Sequence, residues 1–311
     1  MRILITGGAG CLGSNLVEKF IPDGIDVLVI DNFATSKREV LPDIDGLTIV
    51  EGSIADQDLV ENCFSTFKPT HVIHSAAAYK DPDDWREDTL TNVTGTINVI
   101  NASVSNSVER LVYFQTALCY GRPHSVPIPV DHPLRPFTSY GISKTAGEQY
   151  LALTNIKWNS LRLANVTGPR LSIGPIPTFY KRLKAEQSCF CTKSVRDFLD
   201  MEDFLSIIDH VMQPECPSGV FNISTGEGHS IKEIFDIVVE YLGIQLDYEV
   251  EETPVGDDDV PAVVLDPTHT ETTLGWKAKI SFRDTIIRML QWYDKHGISD
   301  VYSHLKSGSN K

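Results

Sequence analysis

Arg2-Ile-Leu-Ile-Thr6-Gly7-Gly8-Ala9-Gly10-Cys11-Leu12-Gly13 opens a chain of 311 residues. Residues 2–6 are an apolar run of strand length, and from Cys11 to about Phe20 the apolar spacing is helical. Between them Gly7, Gly10 and Gly13 form a GxxGxxG turn. A glycine triplet alone is a weak signal. A strand before it and a helix after it give it a mechanism. The early glycines allow a tight turn and close approach of backbone to a pyrophosphate. Gly13 lets the helix pack on the sheet, and the amides of the helix start, at Cys11 and Leu12, face the phosphates.

The alternation continues. DVLVI (26–30), LTIV (47–50), THVIHSAA (70–77) and RLVYFQT (110–116) read as buried strands, with helical stretches at 56–66 and about 82–105. Near-continuous apolar strands separated by helices indicate a parallel sheet covered on both faces. Right-handed crossovers make it a Rossmann-type doubly wound α/β fold. The second half is less regular and reads as a smaller mixed α/β substrate-binding domain. The expected dinucleotide-binding domain is 1–164 plus about 189–224; the substrate domain takes 165–188 and 225–311. Asp31 closes the second strand, where a carboxylate accepts from ribose hydroxyls and repels a 2′-phosphate, so the cofactor expected is NAD. Lys37 and Arg38 lie close by and are the residue types that would instead receive that phosphate.

Composition narrows the function. Hydrophobic residues are 41% and charged residues 22%, a globular balance. With 27 Lys and Arg against 42 Asp and Glu, the net charge of -15 disfavours nucleic acid or an anionic membrane as partner. No apolar run is long enough to span a bilayer, and the apolar stretch at the start is too short for an export signal. The six cysteines form no CxxC pair. Cys189-x-Cys191 reads as a strand fragment, no metal site is expected, and free thiols fit a reducing cytoplasm.

Tyr140 and Lys144 stand at i and i+4, one face of a helix. A tyrosine ordinarily titrates near 10. Acting as a base near neutrality needs a positive neighbour, and Lys144 together with a cationic nicotinamide would supply it. Thr116 ends the fifth strand, where open parallel sheets place their ligands. Its hydroxyl can share a substrate oxygen with Tyr140.

With these residues the chain resembles the extended short-chain dehydrogenase/reductases, and within them the nucleotide-sugar epimerase/dehydratase group, from Met1 to about Tyr293. The marks are TGGAGCLG (6–13), Asp31, His74-Ser75-Ala76-Ala77, Asn92-Val93-x-Gly95-Thr96, Thr116-Ala-x-x-Tyr120-Gly121, Tyr140-x-x-x-Lys144, Leu161-Arg162-x-x-Asn165-x-x-Gly168, Val195-Arg196-Asp197-Phe198 and Leu274-Gly275-Trp276. The resemblance implies a retained NAD, with Asn32, Ser53, Ile54, Ala76, Ala77, Asn92, Tyr140 and Lys144 joining the glycine turn and Asp31 around it. It implies a UDP- or dTDP-hexose whose 4-hydroxyl gives its proton to Tyr140 as C4 is oxidised. Asn165 and Arg196 match positions that bind the nucleotide and its phosphates.

Departures separate the reactions. Dehydratases of this group follow the strand-end Thr with Asp-Glu. Ala117 and Leu118 stand here and cannot move a proton, which favours a 4-epimerase working through a 4-keto sugar. A dehydratase or reductase on the same substrates, or a non-catalytic NAD-binding scaffold, are the alternatives. Cys119, near the place of a reductase cysteine, reads as packing. Ser53 replaces a usual Asp, and Gln115 a usual small hydroxyl residue. Gly256 replaces an Arg that clamps a phosphate, inside the acidic run 256–259. Val263 aligns with the wall facing the sugar C2 group, where a small apolar residue suits an N-acetylated UDP-sugar. Relatives commonly pair as homodimers through the long helices after the fourth and fifth strands.

Overall fold

The computed structural model describes residues 1–256 and 259–298. The strands are β1 (Arg2–Thr6), β2 (Asp26–Asp31), β3 (Leu47–Glu51), β4 (His71–His74), β5 (Arg110–Thr116), β6 (Lys157–Leu163), β7 (Asn165–Thr167), β8 (Phe190–Thr192), β9 (Val195–Arg196), β10 (Phe198–Asp200), β11 (Gly219–Ile223), β12 (His229–Ser230), β13 (Glu251–Thr253) and β14 (Ala262–Val263). The α-helices are α1 (Cys11–Phe20), α2 (Gln57–Phe67), α3 (Trp85–Asp88), α4 (Thr96–Ser105), α5 (Ser139–Leu151), α6 (Pro175–Lys184), α7 (Met201–Val211), α8 (Ile231–Leu242), α9 (Thr268–Leu274) and α10 (Phe282–His296).

The chain forms two compact units. The first holds residues 1–121, 134–162 and 207–221. Its sheet has the order β11-β6-β5-β4-β1-β2-β3, with β1 paired in parallel to both β2 and β4, β2 to β3, and β4 to β5. This is the doubly wound sheet expected from the alternation. The order reverses between β1 and β4, which leaves a crevice at the strand ends after Thr6 and His74. Leu4, Leu28, Ile30, Val72 and Leu111 on the strands pack with Val60 and Phe64 of α2 and Val99 of α4. The strands are apolar on both faces because helices cover both.

Two local differences from the sequence reading matter here. The strand expected at 70–77 stops at His74. Ser75 still donates to the Thr6 carbonyl at 3.2 Å, and residues 76–78 then leave the sheet beside the glycine turn. The amphipathic stretch at 82–105 is helical but not uniform: a π-helical turn, Thr89–Gly95, joins α3 to α4.

Among the described residues, the second unit holds 122–133, 163–206, 222–256 and 259–298. It is a mixed α/β body with short strands: β10 parallel to β7, β9 between antiparallel β12 and parallel β14, and β13 parallel to β8. Residues 189–206 belong to this unit rather than to the first, because β8, β9 and β10 draw all their partners from it. Ile176, Phe179, Phe235, Val238, Ile286 and Leu290, from α6, α8 and α10, make its core. A capping box between Ser230 and Glu233 starts α8, and Gly243 in the left-handed region ends it. Among the described residues no helix is long and apolar enough to cross a membrane. Asp257, Asp258 and the tail 307–311 lie outside the described residues.

Candidate active site

Gly7 has φ +67°, and a Cβ there would lie 2.7 Å from the backbone of Ala76. A Cβ on Gly13 would lie 2.3 Å from the Gly7 carbonyl oxygen. No residue with a side chain fits either place. Gly10 precedes α1, and no side chain caps that helix start, where backbone amides point outward. Asp31 is buried, and its carboxylate accepts from the amides of Ala9 and Phe33, each at 2.8 Å, and from the Ser36 hydroxyl at 3.3 Å. It thus ties the strand end to the glycine turn. Asn32 and Ser53 turn their own loops, accepting from Ala34 and Ala55 respectively. Ile54 is buried against Gly95. Arg38 donates to the Leu41 carbonyl. These residues fit a dinucleotide without a 2′-phosphate.

His74, fully buried, holds the floor of the crevice. The Thr96 hydroxyl donates to the Asn92 carbonyl at 2.7 Å, so it accepts from His74 Nε2 at 2.8 Å. His74 Nδ1 then accepts from Thr6 Oγ1 at 2.6 Å, and that oxygen accepts from the Ala76 amide. Burial first, and then the Lys144 charge, keep the imidazole well below its ordinary value, hence neutral. Asn92 sits in the π turn and is fully buried. Its amide grips both backbone groups of Ala78, at 2.8 and 2.9 Å, and donates to Ser143 on α5 at 3.0 Å. The clamp binds the loop after β4 to the helix that carries Tyr140. Ala76 and Ala77 lie in that loop, half-buried.

Thr138 caps α5, accepting from the Gly141 amide. Tyr140 is half-buried in its first turn, edge-on to Tyr79 with centroids 6.3 Å apart. Lys144, one turn on, is buried. Its ammonium lies over the Tyr113 ring, 4.0 Å from the centroid. Burial lowers the Lys144 pKa to about 7, opposed only by Glu148. Burial pushes the Tyr140 phenol up, and Tyr79 and Asp88 push the same way. This departs from the expectation that Lys144 pulls the phenol down: desolvation penalises the charged form of each group and outweighs their proximity. The Thr116 hydroxyl, half-buried, accepts from the Leu118 amide at 3.2 Å and keeps its proton to give.

Sequence reasoning passed over Glu148. It accepts from Arg162 through both oxygens, at 2.6 and 3.2 Å, and from Ser160 at 2.6 Å, fastening α5 to β6. Its place four residues after Lys144 was the available signal. Ser143 and Tyr113 were passed over as well, and only contacts distant in sequence reveal them.

In the second unit Arg196 donates to Asp259 at 2.6 Å and to its own strand's Val195 carbonyl at 2.9 Å. Burial lowers its pKa, while Asp259 opposes the shift. The Asn165 amide and side chain both donate to the Asp197 carbonyl. Asp197 is buried and accepts from Thr225 and Gly226; burial raises it to about 6. Val263 is buried and paired in register with Arg196 across β14 and β9. Among the described residues no cluster of acidic, His or Cys side chains is arranged to hold a metal.

A doubly wound sheet with this glycine turn, a strand-end threonine and a Tyr-x-x-x-Lys helix defines a nicotinamide-dependent enzyme of the extended short-chain dehydrogenase/reductase class. Comparison with known proteins narrows the class. The description of the NAD dependent epimerase/dehydratase family matches residues 3–224, and the chain belongs to that family. Its structure is similar to that of the Bordetella bronchiseptica enzyme WbmG in complex with NAD and UDP, at 65% identity and a TM-score of 0.95, covering 98% of this chain and 99% of that one. WbmH of the same organism, in complex with NAD+, gives 41% identity and a TM-score of 0.89 over 96% and 99%. UDP-glucose 4-epimerase of Lactobacillus helveticus is 31% identical over 328 residues, 95% of this chain and 98% of the relative.

Proposed function

We propose that this chain is an NAD-dependent nucleotide-sugar 4-epimerase acting on a UDP-hexose. The observation that carries the reading is the turn after Thr116. Residues 117–120 are Ala, Leu, Cys and Tyr in a 3-10 turn. Cys119 is fully buried, and burial pushes its thiol far up, so it supplies neither acid nor nucleophile. The Tyr120 hydroxyl accepts from Arg162 at 2.9 Å. Thr116 and Tyr140 are thus the proton-handling groups this part of the fold offers, which suits oxidation and reduction at one carbon and not loss of water from the next two.

Tyr140 removes the proton from the sugar 4-hydroxyl, and Thr116 holds the same oxygen. Lys144 supplies positive charge below its pKa of about 7 and a ribose ligand above it. Bound NAD supplies the reversible electron-pair acceptor for C4 and a cationic ring that favours the phenolate. Asn165 and Arg196 take the nucleotide. UDP in the similar WbmG structure supports that base. Val263 supports an N-acetylated sugar, since a methyl against valine buries apolar surface. Exposed Val104, Ile142, Tyr150 and Leu153 on and after α4 and α5 support a homodimer. Six free cysteines support work in a reducing cytoplasm.

The test is turnover of UDP-glucose and UDP-N-acetylglucosamine in deuterated water, read by NMR. The expected product differs only at C4, and kcat/KM favours the N-acetylated sugar. Tyr140→Phe lowers turnover about 10²–10⁴-fold. Solvent deuterium at C5 would overturn the reaction assignment.

A further inference from the structure

Gln115 stands where the resembled family places a small hydroxyl residue, and the reaction above gives it no part. Residues 113 and 115 of β5 share one face of the strand, and both reach α5. Gln115 is 2% exposed. Its Nε2 donates to the Lys144 carbonyl at 3.0 Å, and its Oε1 accepts from the Thr116 amide at 2.8 Å. The Tyr113 hydroxyl donates to the same Lys144 carbonyl at 2.8 Å, while its ring lies under the Lys144 ammonium. Gly147 makes room for this, since a Cβ there would lie 2.6 Å from the Tyr113 hydroxyl.

A carbonyl inside a helix ordinarily takes one bond, from the amide four residues on. At Lys144 two strand side chains add theirs. Serine or threonine at 115 is too short to span both bonds. Phenylalanine at 113 would offer the ring without the hydroxyl.

We propose that Tyr113 and Gln115 are positioning residues that clamp Lys144 and Thr116 to each other. Gln115 fixes the strand-end backbone of Thr116 against α5. Tyr113 holds Lys144 at both ends, carbonyl and ammonium. The proposal rests on the reading of Thr116, Tyr140 and Lys144 as the reacting groups. The titratable groups that act on the ammonium are Tyr113 on β5, His74 on β4 and Glu148 on α5, with Tyr140 one turn before it on the same helix. Glu148 is already claimed by Arg162 and Ser160, and His74 is neutral between Thr6 and Thr96. Glu148 adds its charge from one turn away, and the ring of Tyr113 is the group in direct contact with the ammonium.

Two measurements on the full chain test this, each with and without NAD. The first follows the Lys144 ammonium by 15N NMR through a pH titration. Tyr113→Leu should lower its midpoint by about one pH unit, and Tyr113→Phe should leave it within about 0.3. The second is steady-state kinetics of Gln115→Met. The expected result is a kcat about 10–100-fold lower with KM within about threefold, as for a displaced reacting group. Gln115→Asn, which keeps the amide but loses reach, should give about a 10-fold loss and is read if the Met variant does not fold. An unmoved Lys144 midpoint in Tyr113→Leu, or kcat within twofold of the parent in a folded Gln115 variant, would overturn the clamp. If Tyr140→Phe keeps full turnover, the underlying reading fails instead, and the NMR arm still reports on the clamp.

Discussion

Arg162 with Glu148 and Arg196 with Asp259 each close to 2.6 Å, yet the two pairs do different work. The first lies inside the first unit. It is two-pronged, joined by Ser160 and Tyr120, with side chains only 6% and 5% exposed. The second lies in the second unit. It is single-pronged, with side chains 15% and 14% exposed. A guanidinium with five donors that spends one on a carboxylate and one on Val195 keeps others for a ligand. The same chemistry thus serves as a fastening in one place and leaves guanidinium donors unspent in the other.

The difference can be broken most forcefully at Glu148. Glu148→Gln leaves Arg162 charged and buried without its partner, and urea unfolding should show a loss of about 3–5 kcal/mol. A loss under about 1 kcal/mol would mean that the pair is no fastening. In the second unit the effect should move from stability to binding. Arg196→Met should raise the Kd for UDP about 10-fold, or ~1.4 kcal/mol, while unfolding changes little. Calorimetric titration reads the first, and an unchanged Kd would place the nucleotide elsewhere.

Lys144 sharpens the contrast as a buried cation seated on a ring. Its folded pKa of about 7 lies below its ordinary value of 10.5. Between those values the unfolded chain holds a proton that the folded chain has released, so stability rises with pH across that window. The slope from this one group is at most about 1.4 kcal/mol per pH unit. Comparing unfolding at about pH 7.5 and 8.5, Lys144→Met should remove that rise; a parent whose stability is flat there would count against it.

These contacts also show where the sequence was readable. The glycine turn, Asp31 and the buried strands announce themselves through residue type and period, since a sheet covered on both faces leaves little choice of side chain. Tyr140 and Lys144 were visible because four residues on a helix bring two groups together. The Gln115 bridge and the Glu148 pair were not, because each joins residues that only the fold makes neighbours. The membership of 189–206 was hidden for a different reason: strands of two or three residues have no period. Nor does any residue type mark the switch from α to π register at Thr89–Gly95.

That wide turn bears on how the chain tolerates changes in length. A π turn holds about one residue more than the α turn it replaces. The helical path from Trp85 to Ser105 could therefore lose a residue there while both flanking helices keep their faces. What such a deletion would cost is the reach of Asn92 to Ala78 and Ser143, not the packing of Val99 and Ile100 of α4 in the core. At this point insertions and deletions are screened by the chemistry of the crevice, while the core would let them pass.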